Sequence, residues 1–550
     1  MIDILSFFGF TGLVALLAYL ATRKTDESSA DGFYLGGRSL TAITIAGSLL
    51  LTNLSTEQIV GLNGQAFTEG ILVMAWETLA AIAMVITAIF LLPRYLKNGL
   101  TTIPQFVESR FDKTTKTFIT ILFLSGYVVV LLPSILYSGS LALSTIFDIP
   151  DLLGVSKNIA LWITIWSIGI IGMIYAIFGG LKAVAVSDLI NAIGLMIGGL
   201  MIPIFGLYII GDSDVLEGIS ILFKSYPEKF DAQGSETSSI PFGTIFTGMM
   251  LVQLFYWGTN QAIVQRVFAA KNLKEGQKGL LLAAFIKILG PLIVVLPGII
   301  AYHIFQGDLA TPDEAYPALV QKVLPASLVG FFAAVLFGAI LSSFNSALNS
   351  AATLFGFDLY QQYFKKNATE QHTVKAGKLF GIFLALLGMT IAPFIQYAPD
   401  GLFSWLQEAN GCYSIPILSI IVIGYTTKFV PAIAAKVGLI SGVFFYSISQ
   451  FILKPIFVEN AISEAALNGI TSPELLQQIE AEAYPHFLHV MAILFAINII
   501  VMLLIGKFYP RDRAFVLKDS RTVDVTKWKY AGIIGILIIV IVISTYVFFN

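Results

Sequence analysis

The 550 residues are 57% hydrophobic and only 12% charged, with a mean hydropathy of +0.83, whereas soluble domains carry roughly 25% charged residues. So few charges cannot cover a water-facing surface of that size, and a net charge of −2 removes the electrostatic basis for nucleic-acid binding. The single cysteine, Cys412, excludes an internal disulfide, and four scattered histidines (His303, His372, His486, His489) form no metal cluster. The composition is that of a polytopic membrane protein.

About 20 mostly apolar residues are needed to cross roughly 30 Å of hydrocarbon as a helix. Such stretches occur near 4–22, 40–60, 71–95, 117–147, 158–178, 185–211, 242–266, 278–306, 327–358, 376–397, 402–425, 431–453, 484–506 and 530–549. They are too long for barrel strands. The expected fold is therefore all-α and polytopic, with 14 transmembrane helices in one membrane domain over 1–550. The first stretch, opening Met1-Ile2-Asp3, lacks a basic leader and a small-residue cleavage site, so it reads as a retained helix.

Lysine and arginine placement fixes the orientation, because short cytoplasmic loops carry the positive excess. With the N-terminus outside, only Lys157, Lys224, Lys229, Lys322 and Lys454 fall in outside loops and Lys287 falls within a span; every other basic residue is inside. Both termini are expected outside, in a cell membrane, the inner membrane of a bacterium. Two outside loops, about 212–241 and 454–483, are long and polar but too small for a soluble domain. There is no GxxxxGK[ST] motif, so the energy source is expected to be an ion gradient rather than ATP.

Ionisable residues inside spans are costly and mark functional sites or ion pairs that hold helices together. Glu57, Glu77, Asp188 and Lys287 stand out, with Glu408 near a span end. Glu77 and Lys287, if paired, would give a solute site with many hydrogen-bonding groups and no net charge. The second span carries Ser48, Thr52, Asn53, Ser55, Glu57 and Gln58, side chains that compete for backbone bonds and suit a broken helix whose freed carbonyls bind Na⁺. The ninth carries Ser342, Ser343, Asn345, Ser346, Asn349, Ser350 and Thr353. Hydroxyls and carbonyls without a full carboxylate make a weak hard-oxygen site for a monovalent cation, or else serve helix packing. In the seventh, Tyr256-Trp257-Gly258-Thr259-Asn260-Gln261 predicts unwinding beside aromatic faces and amides that suit a sugar ring. Spans two and seven lie five apart, so they run oppositely, as in an inverted repeat of five helices plus five.

The stretches FYLGGRSL (33–40), NLSTEQIVGLNG (53–64), GGLKAVAVSDL (179–189), YWGTNQAIVQR (256–266), SSFNSALNSAATLF (342–355) and LFSWLQEANG (402–411) resemble the sodium/solute symporter family, its sugar transporters above all. The resemblance runs through essentially the whole chain. It implies a LeuT-type 5+5 core, with a first repeat over about 40–211, a second over about 242–425 and peripheral helices near 4–22, 431–453, 484–506 and 530–549. It further implies symport of Na⁺ with a neutral hexose such as galactose or glucose, by alternating access and without enzymatic chemistry.

Carried over from the family, the Na⁺ ligands fall on the carbonyls of Leu51, Leu54 and Ala339 and the hydroxyls of Ser342 and Ser343. The sugar ligands fall on Gln58, Glu77, Gln253, Lys287 and Gln407, with Tyr256, Trp257 and Asn260 beside them. Asn53, Leu62, Trp76, Tyr256 and Phe403 fall on gate positions, Tyr256 closing the inner side in a bond to Asn53. A possible second Na⁺ site comprises Asp188, Ser342, Asn345 and Ser346, so one or two ions per cycle remain open. Gln253, Trp76 and Ala80 stand where the family's sugar transporters have asparagine, tyrosine and serine, which alters the pocket. A symporter for an inositol or an amino acid, and a transport-inactive membrane sensor of the same fold, are the alternatives.

Overall fold

The computed structural model describes residues 2–23, 29–178, 180–309, 311–397, 402–517 and 519–550. Gly179, which opens one of the family-like stretches, lies outside them. Among the described residues the chain is helical throughout, and its lone β feature is a parallel bridge between Leu40 and Ala270.

Among the described residues ten helices are long and apolar enough to cross a membrane, eleven if the pair Leu273–Lys287 and Pro291–Phe305, bent by 47°, is one span. The sequence led to an expectation of fourteen. The difference arises where polar residues interrupt the apolar run. The second stretch is cut into α1 (Ala42–Asn53) and α2 (Thr56–Glu69), and the seventh into α3 (Gly248–Thr259) and α4 (Gln261–Phe268). The first apolar stretch forms one helix, Ile2–Thr22. The two long polar loops, about 212–241 and 454–483, themselves contain helices at Val215–Ser225, Lys454–Leu467 and Pro473–Ala483.

Hydrophobic residues sort by surroundings. The helices Ala432–Ile448, Phe487–Phe508 and Ala531–Phe548 expose Ile433, Ile440, Phe444, Ile493, Ile497, Ile500, Ile533 and Ile536. In water such continuous apolar patches would drive association; in a bilayer they meet hydrocarbon. The reverse holds at the centre. From Ile45 to Asn53 every residue of α1 is buried, Ser48, Thr52 and Asn53 included. A polar helix fully enclosed by other helices must answer its hydroxyls and amides within the protein. Asp188 of the long helix Leu181–Ile210 accepts from Ser48, and Ser346 of α6 (Ala326–Thr353) bonds Thr52, while α5 (Leu273–Lys287) also packs against α1.

Candidate functional site: a polar cavity between two broken helices

Both breaks have local causes. The first falls at Leu54–Ser55. Leu54 leaves helical geometry (φ −76°, ψ 58°), and Ser55 is extended as the N-cap of α2. The Leu54 amide still reaches the Leu50 carbonyl, but the carbonyls after it in the last turn of α1 lose their helical amide donors. Ser343 of α6 answers one of them, its hydroxyl donating to the Thr52 carbonyl at 2.8 Å. That bond sets Ser343, and with it Ser342 and Ala339 on the same helix, against the turn that holds Leu51 and Leu54.

The second break falls at Asn260, extended at φ −67°, ψ 122°. Its side-chain oxygen caps α4 by accepting from the Ala262 amide at 3.0 Å, and it accepts a second bond from the Tyr127 hydroxyl at 3.0 Å. Two polar partners thus replace the helical bonds lost there. On the far side of the break, the Gln261 side chain bonds the Thr101 carbonyl and the Ile103 amide. Gln265 donates to the Tyr34 carbonyl and the Thr353 hydroxyl. These tie α4 firmly to its neighbours.

Between the breaks lies a small cavity of about 40 Å³. It gathers most of the residues singled out from the sequence: Asn53, Gln58, Trp76, Gln253, Tyr256, Trp257, Asn260, Phe403 and Gln407 all line it, together with Glu57, Asn410 and Tyr413. Trp76 and Phe403 meet edge to face, ring centres 5.1 Å apart, joining the helix Ala75–Ile86 to the helix Leu402–Thr426. Gln253 donates to the Trp76 carbonyl at 2.9 Å, and the buried Gln58 carbonyl oxygen has no hydrogen-bond partner. Amides, a phenol and aromatic faces together offer donors, acceptors and apolar planes to a ring-shaped polar solute.

Leu62, Glu77 and Lys287 are not on the cavity wall. Glu77 and Lys287 bind each other instead: the Lys287 ammonium lies 2.6 Å from both carboxylate oxygens, each side chain only 1% exposed. The ammonium sits 5.7 Å from the Trp257 ring centre, so the pair stands behind that tryptophan. Leu62 is fully buried in α2.

The sequence reading missed Arg266. Counted with the inside loop, it is fully buried near the end of α4, so Lys287 is not the sole cation of the interior. Its Nε donates to the Ser48 hydroxyl at 2.8 Å, which in turn donates to Asp188 at 2.6 Å. Another guanidinium nitrogen bonds Ser346 and lies 3.9 Å from Asp188. Two members of the possible second Na⁺ site, Asp188 and Ser346, therefore contact a protein cation, while the Asn345 amide has no partner. The available signal was position: Arg266 is the last residue of the apolar stretch 242–266, directly after the amide Gln265.

Residues 33–442 match the sodium:solute symporter family. The chain is 46% identical over 545 residues to the Escherichia coli protein named "Uncharacterized symporter YidK", covering 99% of this chain and 90% of that one. It is 32% identical over 474 residues to the Vibrio parahaemolyticus sodium/glucose cotransporter, covering 82% and 85% respectively. The human sodium/myo-inositol cotransporter 2 is 28% identical over 453 residues, covering 77% and 66%. Among solved structures, a Na⁺-coupled sialic acid symporter in a substrate-bound, outward-open state superposes with a TM-score of 0.71 at 18% identity, over 94% of this chain and 99% of that one. MHP1, a nucleobase-cation-symport-1 family transporter, reaches 0.52 at 15% identity, over 90% and 98%. These likenesses establish a transporter fold that is embedded in the membrane through multiple spans, with Na⁺ as the coupling ion. The chain belongs to the sodium:solute symporter family.

Proposed function

We propose that the protein is a secondary active transporter that couples inward Na⁺ movement to uptake of a neutral sugar, a hexose such as galactose or glucose, by alternating access. The observation that carries this reading is the cavity itself: amides and aromatic rings converge between two broken helices, at the place where unwound spans bind solute and ion in transporters of this kind. Fourteen spans, repeats over about 40–211 and 242–425, and both termini outside a bacterial inner membrane complete the proposal. The resemblance to a sodium/glucose cotransporter supports a hexose. The match to a myo-inositol cotransporter favours, as a second reading, a cyclic polyol.

The residues divide by role. Gln58, Gln253, Tyr256, Trp257, Asn260 and Gln407 bind the solute. Asn53, Trp76, Tyr256, Phe403 and, from its buried place in α2, Leu62 form the gates. Glu77 and Lys287 act on the solute site from behind Trp257. Na⁺ is held by the carbonyls of Leu51, Leu54 and Ala339 and the hydroxyls of Ser342 and Ser343. The freed carbonyls of α1 and the Ser343–Thr52 bond support that placement. A monovalent ion needs weak oxygen ligands that release it on the other side, and no carboxylate is included in this set.

Radiolabelled hexoses, myo-inositol and amino acids offered to proteoliposomes, with Na⁺ or K⁺ outside, test the assignment. Hexose uptake dependent on Na⁺ is expected; Na⁺-dependent uptake of an amino acid alone would refute it. Ser343→Ala is expected to raise the Na⁺ concentration for half-maximal uptake about tenfold, the loss of one polar ligand at about 1.4 kcal/mol. The helix stays formed, since alanine is its best former. An unchanged Na⁺ titration would remove Ser343 from the ion's path.

A further inference from the structure

Asn260 is gripped at the second break by a side chain from another helix, Tyr127. That residue is fully buried where the helices Lys113–Gly126 and Leu132–Ile146 are joined by a π-turn, Tyr127–Leu131. The turn has a local cause. Pro133 follows it and has no amide to give, and the Leu132 amide reaches back five residues to the Tyr127 carbonyl. At one end of this turn Leu131 lines the cavity. At the other the Tyr127 phenol meets the break in the seventh stretch.

Three hydrogen bonds close on one another there. The Ala262 amide donates to the Tyr127 hydroxyl oxygen at 3.0 Å and to the Asn260 side-chain oxygen at 3.0 Å. The Tyr127 hydroxyl donates to that same Asn260 oxygen at 3.0 Å. A backbone amide only donates, so the Asn260 atom it meets is the carbonyl oxygen and not the NH₂ group. The phenol oxygen accepts from the same amide, which leaves its one proton for Asn260. Two donors therefore fill the Asn260 carbonyl and hold it towards the backbone of α4. What Asn260 has left for the cavity it lines is the NH₂ group, two donors and no acceptor. Hydroxyl oxygens of a sugar or a cyclic polyol accept from such a group.

We infer that Tyr127 is a positioning residue for transport: from a neighbouring helix it locks the Asn260 amide with its NH₂ towards the solute and fixes the geometry of the break. Tyr127 is not on the cavity wall and acts through Asn260. The inference rests on the reading of this cavity as the solute site.

The experiment measures Na⁺-driven uptake of radiolabelled D-galactose, D-glucose and myo-inositol into proteoliposomes, with the solute that wild type takes up fastest as the probe. Tyr127→Phe keeps the ring and deletes the hydroxyl. It should raise the solute concentration for half-maximal uptake about fivefold, the worth of one neutral hydrogen bond. The Na⁺ concentration for half-maximal uptake should stay within about twofold of wild type. Asn260→Ser keeps an oxygen to cap α4 and removes the NH₂ group, so it should weaken solute affinity at least as much. Added to Asn260→Ser, Tyr127→Phe should cost less than about twofold more, because its effect runs through the amide. Effects that multiply in the double variant, or an unchanged solute requirement in Tyr127→Phe, would overturn the role of Tyr127 while leaving the sugar reading intact. So would solute and Na⁺ affinities that fall together with the melting temperature, the mark of a purely structural residue. Wild-type uptake of none of the three solutes would overturn the sugar reading, and this inference with it.

Discussion

Lys287→Ala is expected to abolish Na⁺-dependent solute uptake and to lower stability by about 3–5 kcal/mol, the usual cost of removing one partner from a buried ion pair. The Lys287 ammonium touches both oxygens of Glu77, and both side chains are 1% exposed. Truncating one therefore leaves a full charge with neither water nor counter-ion. Glu77→Gln is expected to act similarly by stranding Lys287. The double variant Glu77→Gln/Lys287→Met separates two roles. If the pair serves to neutralise itself and to seat Trp257, the double variant recovers both melting temperature and solute affinity. If the two side chains bind the solute, stability returns and affinity does not. Uptake at ordinary affinity in both single variants would show the pair to be irrelevant to transport.

The second large effect is expected at Arg266. Its guanidinium joins Ser48, Ser346 and Asp188, spanning α1, α6 and the helix Leu181–Ile210. Arg266→Ala leaves Asp188 buried with no protein cation and should cost about 3–5 kcal/mol. Arg266→Lys should not rescue it, because one ammonium cannot reproduce the fork of donors that meets two serines and a carboxylate together. Thermal unfolding of the purified variants measures the loss. The same geometry favours one Na⁺ per cycle. The argument for a second ion at Asp188, Ser342, Asn345 and Ser346 was that Asp188 needs a cation, and Arg266 supplies one. The charge moved per solute should then remain one in Asp188→Asn, if that variant transports. A ratio of two in wild type, falling to one in Asp188→Asn, would restore the second site.

The fold was legible wherever apolar runs were unbroken, because crossing hydrocarbon imposes a length that composition alone reveals. It was less legible where polar residues cut a span. The second and seventh stretches were read as spans with unwound centres, and their polar density pointed to the breaks now seen at Leu54–Ser55 and Asn260. The angle between the halves depends on caps such as Tyr127 on Asn260, a partner 133 positions away. Of the site, the amides and aromatics were legible because such groups are rare in lipid-facing helices. The places of charged residues in the bundle were not. The pairing of Glu77 with Lys287 was anticipated, but not its place behind Trp257 and off the cavity wall; Arg266 was read as lying in a loop, yet it is bound to Ser48, Ser346 and Asp188. Charge pairing in a bundle is decided by which helices pack together, and a linear sequence does not display that. Glu57 was visible as an ionisable group within a span. Its place as the cavity's carboxylate emerged only when Glu77 proved to be paired elsewhere.

A tenfold Na⁺ gradient supplies about 1.4 kcal/mol and a 100 mV potential about 2.3 kcal/mol per charge. Together they support roughly 500-fold accumulation of a neutral solute with one Na⁺, and more than 10⁵-fold with two. The zero-current potential of proteoliposomes at a fixed Na⁺ gradient tests this coupling most directly. For one Na⁺ per neutral hexose, each tenfold change in the hexose gradient should shift that potential by about 59 mV, and replacing Na⁺ with K⁺ should abolish the shift. A shift of about 30 mV would mean two charges per solute, and a potential indifferent to hexose in Na⁺ would contradict Na⁺-coupled sugar symport altogether.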